Sequence, residues 1–435
     1  MLHAFVVVFL GFALAGIMLL VVVGWLPALL HRLVPDLAFE GGVKSGVLVL
    51  AGLLVITPLV LLAIAARRGA LGWRNLALLA VPMLAVPVWL VHDDATIKHP
   101  LPLAEFAPEF PGAAQSYATL MRYSKRRPSA EAREFAGRQW VVTTAGWASL
   151  REMDKKQEFV AKQRAALEAD WAALAPQRRW IDELNAFGRI GDLTPPCVDA
   201  DIITFAVWRV FAQQSCAIAL LQAGDGRGDD AIATLLPVLG CGRRLQHGSR
   251  TLVRSMVGVV IEKAALETAG VVLDRAPVSP ARRRELAVVV SQDDPPAEVR
   301  HLVLIEYAMF APAILRAAQD GDVGFGLEER WSWAGRPLKL LGSLLLNPNA
   351  TINLIGGNAF QVAAFAEARE IGRIEAQTRQ LAETFWTQPG MKNLGGRLVA
   401  VTSTPAYARV VESYWKMADL RADLRRRLAP QVVAN

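Results

Sequence analysis

A single carboxylate in an apolar helical segment is the one place where the sequence offers a catalytic acid. Glu306, followed by Tyr307, interrupts a run of apolar residues. Hydrolysis of a cell-wall glycan would need at least one carboxylic acid with a raised pKa. A buried glutamate can equally be paired for structural reasons. His301 lies five positions earlier, about 140° away around a helix, so the two residues do not form an acid–base pair.

A second group of chemistry-bearing residues follows the third apolar stretch of the chain. His92 and His99 flank Asp93 and Asp94. Imidazole and carboxylate are ligands that zinc accepts, so a metal site is one interpretation. A polar cluster at a membrane surface is the other interpretation, and it is the one we favour. We therefore predict no bound metal and no cofactor.

The sequence lacks the short motifs of the common catalytic folds. It contains no Gly-x-Ser-x-Gly, no phosphate-binding loop, no His-Glu-x-x-His and no dinucleotide fingerprint. Residues 224–230 combine glycines and acids, but a calcium loop needs oxygen ligands at alternate positions and a glutamate at the twelfth. Counted from Asp225, Arg227 takes the third position and Leu236 the twelfth. The segment therefore predicts a turn between two helices.

Charge and cysteine content exclude further classes. The net charge of +7 is modest for 435 residues, and it is not arranged as the basic, aromatic-rich stripes of a nucleic-acid surface. We therefore predict no nucleic-acid partner. Cys197, Cys216 and Cys241 share no metal-binding spacing, and their odd number argues against a disulfide framework. Cys216 lies in an apolar helical run, where a free cysteine behaves as a small buried hydrophobe.

Three apolar stretches fill the first ninety or so residues. They cover residues 4–30, 45–66 and 76–91. A membrane-spanning helix needs roughly 20 apolar residues, so the first two stretches predict spans. The third is shorter, reaches only ~24 Å of a ~30 Å core and contains Pro82 and Pro87, which membrane helices tolerate. We predict three spans in the cytoplasmic membrane.

The charged links between these stretches predict the orientation of the chain. The link at 31–44 carries two cations and two acids, whereas the link at 67–75 carries three arginines and no acid. An excess of Lys and Arg marks the cytoplasmic side. The N-terminus is then cytoplasmic, and the chain after Asp93 lies in the periplasm or otherwise outside the cytoplasm. If the third stretch does not span, that domain is cytoplasmic instead.

The rest of the chain has helical spacing almost throughout. Prolines recur at short intervals over residues 93–111, which is typical of a semi-rigid spacer. No alternating run over residues 112–435 predicts a strand. We therefore expect an all-α protein, with a transmembrane region at 1–92, a Pro-rich linker at 93–111 and a bundle or stack of helices at 112–435.

Individual helices follow from prolines, glycines and acids. Residues 202–222 are nearly all apolar, but Arg209 and two glutamines would be costly inside a bilayer, so this helix is predicted to lie buried in a bundle. A turn at 347–353 leads into one long helix with an apolar stripe from Phe360 to Phe385. Between these two come helices predicted over 229–247, 250–273, 280–292 and 297–319.

Three short segments carry a resemblance to known sequences. They are Leu-Leu-Gln-Ala-Gly-Asp-Gly at 220–226, Asn-Pro-Asn-Ala-Thr-Ile-Asn at 347–353, and Asn-Leu-Gly-Gly-Arg at 393–397 followed by Thr-Pro-Ala-Tyr at 404–407. With them the latter half of the chain resembles a loosely defined group of uncharacterised bacterial membrane-anchored helical proteins without assigned activity. The resemblance implies a helical extracytoplasmic domain and transfers no site.

Anchoring spans, a proline spacer and a helix-only domain together predict an interaction or scaffold role in the bacterial envelope. Stacked helices offer long grooves to protein partners. The expected partners are the lipid bilayer and other envelope proteins. Two alternatives stay open, which are an envelope hydrolase that uses Glu306 and a protein that binds lipid or another apolar ligand.

Overall fold

A computed structural model gives the fold of most of the chain after the apolar stretches. It describes residues 93–94, 96–106, 109–124, 138–144, 152–196, 205–291, 296–320, 347–387, 393, 400 and 406–429. The three predicted spans lie outside these residues. Within the described residues every regular element is a helix and there is no strand, which confirms the all-α prediction. None of the described helices is both long and apolar enough to cross a membrane.

The helices are numbered in order along the described chain. They are α1 (Leu103–Phe106), α2 (Ala113–Ser124), α3 (Val141–Thr144), α4 (Met153–Lys162), α5 (Arg164–Ala173), α6 (Ala175–Asn185), α7 (Ala206–Gly224), α8 (Gly228–Gln246), α9 (Leu252–Arg275), α10 (Pro280–Val290), α11 (Pro296–Asp320), α12 (Pro348–Glu367), α13 (Ile371–Thr387) and α14 (Tyr407–Leu428). The bounds of α8 to α11 agree with the predicted ones to within a turn, because Pro, Gly and Ser mark their ends.

The chain divides into two compact units. The main unit takes in the described residues of Leu101–Phe310, Asn358–Arg379 and Pro405–Asn435. The second unit takes in those of Met1–Pro100, Ala311–Gly357 and Gln380–Thr404.

Helix α7 is the centre of the main unit. Fourteen of its nineteen residues are buried, and it packs against α3, α4, α5, α8 and α9. Arg209 lies on an exposed position, and the buried Gln214 donates from Nε2 to Asp170 Oδ2 at 3.3 Å. Because Arg209 reaches water and the amide nitrogen of Gln214 makes a hydrogen bond, the helix is stable inside a bundle, as the sequence predicted.

Helices α8 and α9 cross at a pair of glycines. A Cβ atom built on Gly258 would lie 2.5 Å from the carbonyl oxygen of Gly242, and one built on Gly242 would lie 2.9 Å from the backbone nitrogen of Glu262. No real side-chain carbon fits at such distances, so only glycine permits this approach. The two backbones are therefore in direct contact, which brings the end of α8 beside the first half of α9.

A fully buried ion pair fixes the connection between these two helices. Arg254 on α9 lies 3.3 Å from Asp192, and both side chains are inaccessible to solvent. The guanidinium also donates to the carbonyl oxygens of Gly191 and Ile190, each at 2.7 Å. Asp192 in turn accepts from the backbone N–H of Arg250 at 2.7 Å. Since a buried charge is costly unless it is paired and hydrogen-bonded, these bonds hold the 190–192 segment against the start of α9.

The long helix predicted beyond residue 347 is wrong, because the chain forms two helices there. α12 ends at Glu367 and α13 begins at Ile371. Arg369 has φ +60°, and the N–H of Glu370 donates to the carbonyl of Phe365 at 2.8 Å, as in a Schellman motif. Glycine usually takes that left-handed position, so its absence hid the break.

Arg369 is held in this conformation by contacts within the main unit. Its guanidinium lies 3.9 Å from the centroid of the Trp415 ring and donates to Asp419 Oδ1 at 2.9 Å. A stacked cation and an ion pair offset the strain of a non-glycine residue at positive φ.

In the second unit the start of α12 is capped by residues of the predicted linker. Asp93 accepts the backbone N–H groups of Asn349 and Ala350, both at 2.8 Å. Asn353 donates from Nδ2 to Asp94 Oδ2 at 2.7 Å. These bonds satisfy the free N–H groups of the first helical turn and place a negative charge at the positive end of the helix dipole.

The glycine crossing predicts a large loss of stability on a minimal substitution. Gly258→Ala should lower the free energy of unfolding by roughly 2–3 kcal/mol, since the added methyl group meets backbone atoms rather than a movable side chain. Gly372→Ala on α13 is the matched control, because nothing lies within 4 Å of its added methyl group. We expect that control to stay within about 1 kcal/mol of the wild type. Thermal unfolding of the purified full chain, followed by circular dichroism, measures both, and equal midpoints would show that the crossing tolerates a side chain.

Candidate functional site

A cavity of about 270 Å³ lies in the main unit where α8 and α9 meet α11 and α14. The end of α8 contributes Gln246 and His247, and α9 contributes Ser255 and Val259. Gly248 follows with φ +70°, which turns the chain out of α8. The glycine crossing thus decides which side chains of α8 and α9 reach the cavity.

We call this space the histidine cavity, because His247 and His301 line it. Its opposite wall comes from α11 and α14. Glu298, His301 and Leu302 stand three and four residues apart on α11, so they share one face of that helix. Tyr414 of α14 completes the lining and donates from its hydroxyl to Glu298 Oε2 at 3.2 Å. Titratable groups from three helices therefore converge on one small space.

Glu298 and His247 form the closest acid–base pair of the cavity. Nδ1 of His247 lies 3.9 Å from Oε1 of Glu298. Burial raises the pKa of Glu298, whereas burial and the positive charges of Arg243, Arg421 and Arg189 lower the pKa of His247 to about 4. The imidazole is therefore neutral near pH 7 and able to accept a proton or a hydrogen bond.

His301 is the second neutral imidazole. Its ring stacks on Phe106 with a centroid distance of 4.1 Å and an interplanar angle of 3°. Burial lowers its pKa, an effect that a hydrogen bond with the backbone of Ser249 partly opposes. Its Nε2 atom is buried and has no hydrogen-bond partner among the residues the structure describes. That nitrogen therefore has an unused hydrogen-bonding position in a residue that lines the cavity.

Charged side chains lie behind this lining. Arg421 and Glu262 form a buried ion pair at 2.6 Å, and Gln246 donates from Nε2 to the other carboxylate oxygen of Glu262 at 2.5 Å. Arg243 is buried with 8% of its surface exposed. Its charge adds to burial in lowering the pKa of His247, and it opposes the rise that burial causes in the pKa of Glu298. The cavity thus lies in a field with two buried guanidinium groups.

Glu306, the carboxylate singled out as a catalytic candidate, is placed elsewhere. Its Oε1 accepts the backbone N–H of Leu252 at 2.8 Å, so the side chain caps the first turn of α9. Burial raises the pKa of Glu306, and the bond from Leu252 opposes that rise. It does not belong to the residues that line the histidine cavity. A catalytic role for Glu306 stays a prediction. The capping bond gives the buried carboxylate a structural role.

The predicted polar cluster of the second unit includes carboxylates that are engaged in hydrogen bonds. Asp93 and Asp94 bond to α12 as described, and His92 lies outside the described residues. Across the part of the chain that the structure describes, no three His, Cys, Asp or Glu side chains group as metal ligands. The zinc interpretation of His92, His99, Asp93 and Asp94 gains no support from these positions.

Residues 224–230 form the turn between two helices that the sequence predicted. α7 ends at Gly224 and α8 begins at Gly228. Arg164 donates to both carboxylate oxygens of Asp225, at 3.0 and 2.6 Å.

Two of the three cysteines, Cys216 and Cys241, are buried and free of disulfide bonds, whereas Cys197 lies outside the described residues. Cys216 is thus the small buried hydrophobe that was predicted.

Sequence reasoning missed the histidine cavity. It compared His301 with Glu306, five positions away, and not with Glu298, three positions earlier on the same helical face. The spacing of Glu298 and His301, three residues apart, was visible in the sequence. Their contacts with α8, α9 and α14 depend on tertiary packing, which spacing along one helix does not predict.

Comparisons of the chain with protein-family models, with curated proteins and with solved structures give no match. The resemblance to uncharacterised bacterial proteins therefore stays a prediction, and the histidine cavity has to be interpreted from its own residues.

The pKa of His247 predicts how stability depends on pH. Its value of about 4 in the folded chain lies below the ordinary value of about 6.5 in the unfolded chain. As pH falls between these values, the unfolded chain binds a proton that the folded chain does not, so the wild type loses stability. Because 39% of the side chain is exposed, solvent screening reduces the size of this loss.

His247→Gln removes this proton-linked loss. Denaturant unfolding at about pH 7, 5.5 and 4.5 should show the variant gaining stability relative to the wild type as pH falls. Parallel curves for the two proteins would mean that His247 titrates alike in the folded and unfolded chains.

Proposed function

We propose that this chain is a membrane-anchored protein of the bacterial envelope whose helical domain binds a small ligand in the histidine cavity. The observation that carries the proposal is that two residues lining one space have buried polar atoms without a hydrogen-bond partner. Nε2 of His301 and Oγ of Ser255 are both buried, both belong to lining residues, and neither has a hydrogen-bond partner in the described chain.

Unsatisfied polar atoms are informative because buried polar groups are nearly always hydrogen-bonded. Leaving such a group without a partner costs about 1–3 kcal/mol. Ordered water can satisfy these groups, and a ligand that reproduces its hydrogen bonds displaces it. Two such groups on residues that line the same cavity are therefore the reason to propose a ligand there.

The size and lining of the cavity restrict the ligand. A volume of about 270 Å³ lies just below the range of roughly 300–1,000 Å³ for drug-sized ligands. Val259 and Leu302 supply an apolar wall, whereas most other lining residues are polar. The small volume and the mixed lining favour a small molecule with both polar and apolar parts over a lipid chain, which was one of the alternatives.

The anchoring part of the proposal depends on the sequence alone. It consists of the apolar stretches at 4–30, 45–66 and 76–91 and the arginine-rich link at 67–75. With this topology the helical domain lies outside the cytoplasm, where it would meet small solutes and other envelope proteins. Scaffolding is compatible with this arrangement, and ligand binding is the activity that the cavity supports.

A cavity-filling substitution tests ligand binding. Val259→Phe adds volume inside the cavity, whereas Val260→Phe places the same side chain at a neighbouring position that is 46% exposed. In a ligand-observed NMR screen of small polar compounds against the full chain in detergent, hits on the wild type should persist with Val260→Phe and disappear with Val259→Phe. Hits retained by Val259→Phe would show that binding occurs elsewhere, and a screen without hits would contradict the proposal.

Reporter fusions test the anchoring. A reporter that is active only in the periplasm should be active when fused after Pro111 and inactive when fused after Arg68, because the three arginines retain the second link in the cytoplasm. A reporter that is active only in the cytoplasm should give the reverse pattern. Cytoplasmic activity after Pro111 would reduce the anchor to two spans and place the helical domain inside the cell.

A further inference from the structure

We infer that the start of α12 lies in the headgroup layer of the membrane, where residues 93–98 hold it against the lipid surface. The inference rests on the proposed anchoring by the third apolar stretch and adds a contact between the second unit and the bilayer. It is carried by a very short covalent path from that stretch to a network of hydrogen bonds with α12.

Asp93 limits how far α12 can lie from the third apolar stretch. That stretch ends at residue 91, and only His92 separates it from Asp93. Two residues of fully extended chain reach at most about 7 Å. Asp93 bonds directly to the backbone N–H groups of Asn349 and Ala350, both at 2.8 Å. The first turn of α12 is therefore bonded to a residue that lies close to the end of the stretch.

Asn353 extends this attachment to the second turn of α12. Its Nδ2 atom donates to Asp94 Oδ2 at 2.7 Å and to the carbonyl oxygen of Thr96 at 3.0 Å. Its Oδ1 atom accepts the backbone N–H of Lys98 at 2.7 Å. One asparagine side chain thus bonds to three residues of segment 93–98, so the segment and the start of α12 are held together at several points.

The dimensions of a bilayer convert this attachment into a position. A hydrocarbon core of ~30 Å within a total of ~40–45 Å leaves about 5–8 Å of headgroup layer on each side. The third stretch reaches only ~24 Å, so its flanking residues are drawn towards the core rather than away from it. A residue two positions beyond its end then lies in the headgroup layer, together with the helix start to which it bonds.

The charges of segment 93–98 suit this position. Lipid phosphates would repel free carboxylates, but Asp93 and Asp94 already bond to N–H donors of α12, and Asp93 lies at the positive end of the helix dipole. Among the described residues of the segment, Thr96 and Lys98 are the exposed ones. A hydroxyl and an ammonium group both bind phosphate oxygens. The segment therefore offers lipid headgroups its donors, while its acids are bonded to α12.

Fluorescence quenching in lipid nanodiscs tests this position. A bimane label is attached to the full chain at Ala350→Cys or, as the reference, at His92→Cys. Both chains carry Cys197→Ser, and Cys216 and Cys241 are buried. The nanodiscs consist of phosphatidylcholine with or without a nitroxide on its headgroup. We expect the nitroxide to quench the label at position 350 at least about half as strongly as the label at position 92, because both lie in the headgroup layer.

A double variant tests whether the hydrogen bonds set this position. Asp93→Ala combined with Asn353→Ala removes most of the bonds between the segment and α12. It should lower the quenching at position 350 at least about twofold and leave that at position 92 unchanged. Glu109→Gln is the matched control, since this acid also follows the third stretch but pairs with Arg250 of the main unit. It should retain wild-type quenching at both positions.

The outcomes separate this inference from the proposed anchoring. Quenching at position 92 with less than half of it at position 350 would place α12 away from the lipid, which overturns the inference and leaves the anchor intact. Quenching at neither position would show that the third stretch does not span, so the proposed anchoring fails and the inference fails with it. Wild-type quenching at position 350 in a double variant that circular dichroism shows to be folded would refute the role of segment 93–98.

Discussion

The contact between the backbones of α8 and α9 is the constraint on which the rest of the main unit depends. Gly242 and Gly258 let the two helices approach until a Cβ atom on either glycine would overlap the backbone of the other helix, so no side chain separates them there. Everything that follows each glycine is positioned by that approach. Gln246 and His247 lie one turn beyond Gly242, and Glu262 lies one turn beyond Gly258, which is why Gln246 and Glu262 form a hydrogen bond. The histidine cavity exists because the helices are this close.

The buried arginines are the second feature of the main unit, and they differ in whether their charge is paired. Arg254 and Arg421 are surrounded by acceptors and stabilise the packing of α9. Arg243 has buried Nε and Nη1 atoms without a hydrogen-bond partner in the described chain, and its charge adds to burial in lowering the pKa of His247. A rigid bundle can hold an uncompensated charge only because the surrounding helices are already fixed by compensated ones.

Local signals were sufficient for the helices from α7 to α11 and insufficient for the site. Ser279 and Pro280 begin α10, and the Gly-rich turn after Gly224 begins α8, so those bounds could be read from the sequence. The break at Arg369 could not, since its left-handed conformation is stabilised by Trp415 and Asp419, some fifty residues later. Tyr414 and His247 likewise come together only through packing. Contacts between distant helices decide the site, and periodicity within one helix does not contain them.

The two buried thiols have a consequence for how the folded chain meets oxidants. Burial raises the pKa of Cys216 to about 11 and that of Cys241 to about 12, so almost no thiolate is present at neutral pH, and thiolate is the form that reacts. Disulfide-forming enzymes and peroxides are therefore expected to react very slowly with these two thiols in the folded chain. Only a local opening of α7 or α8 exposes a sulfur atom, so the rate of thiol alkylation measures how often these two central helices open.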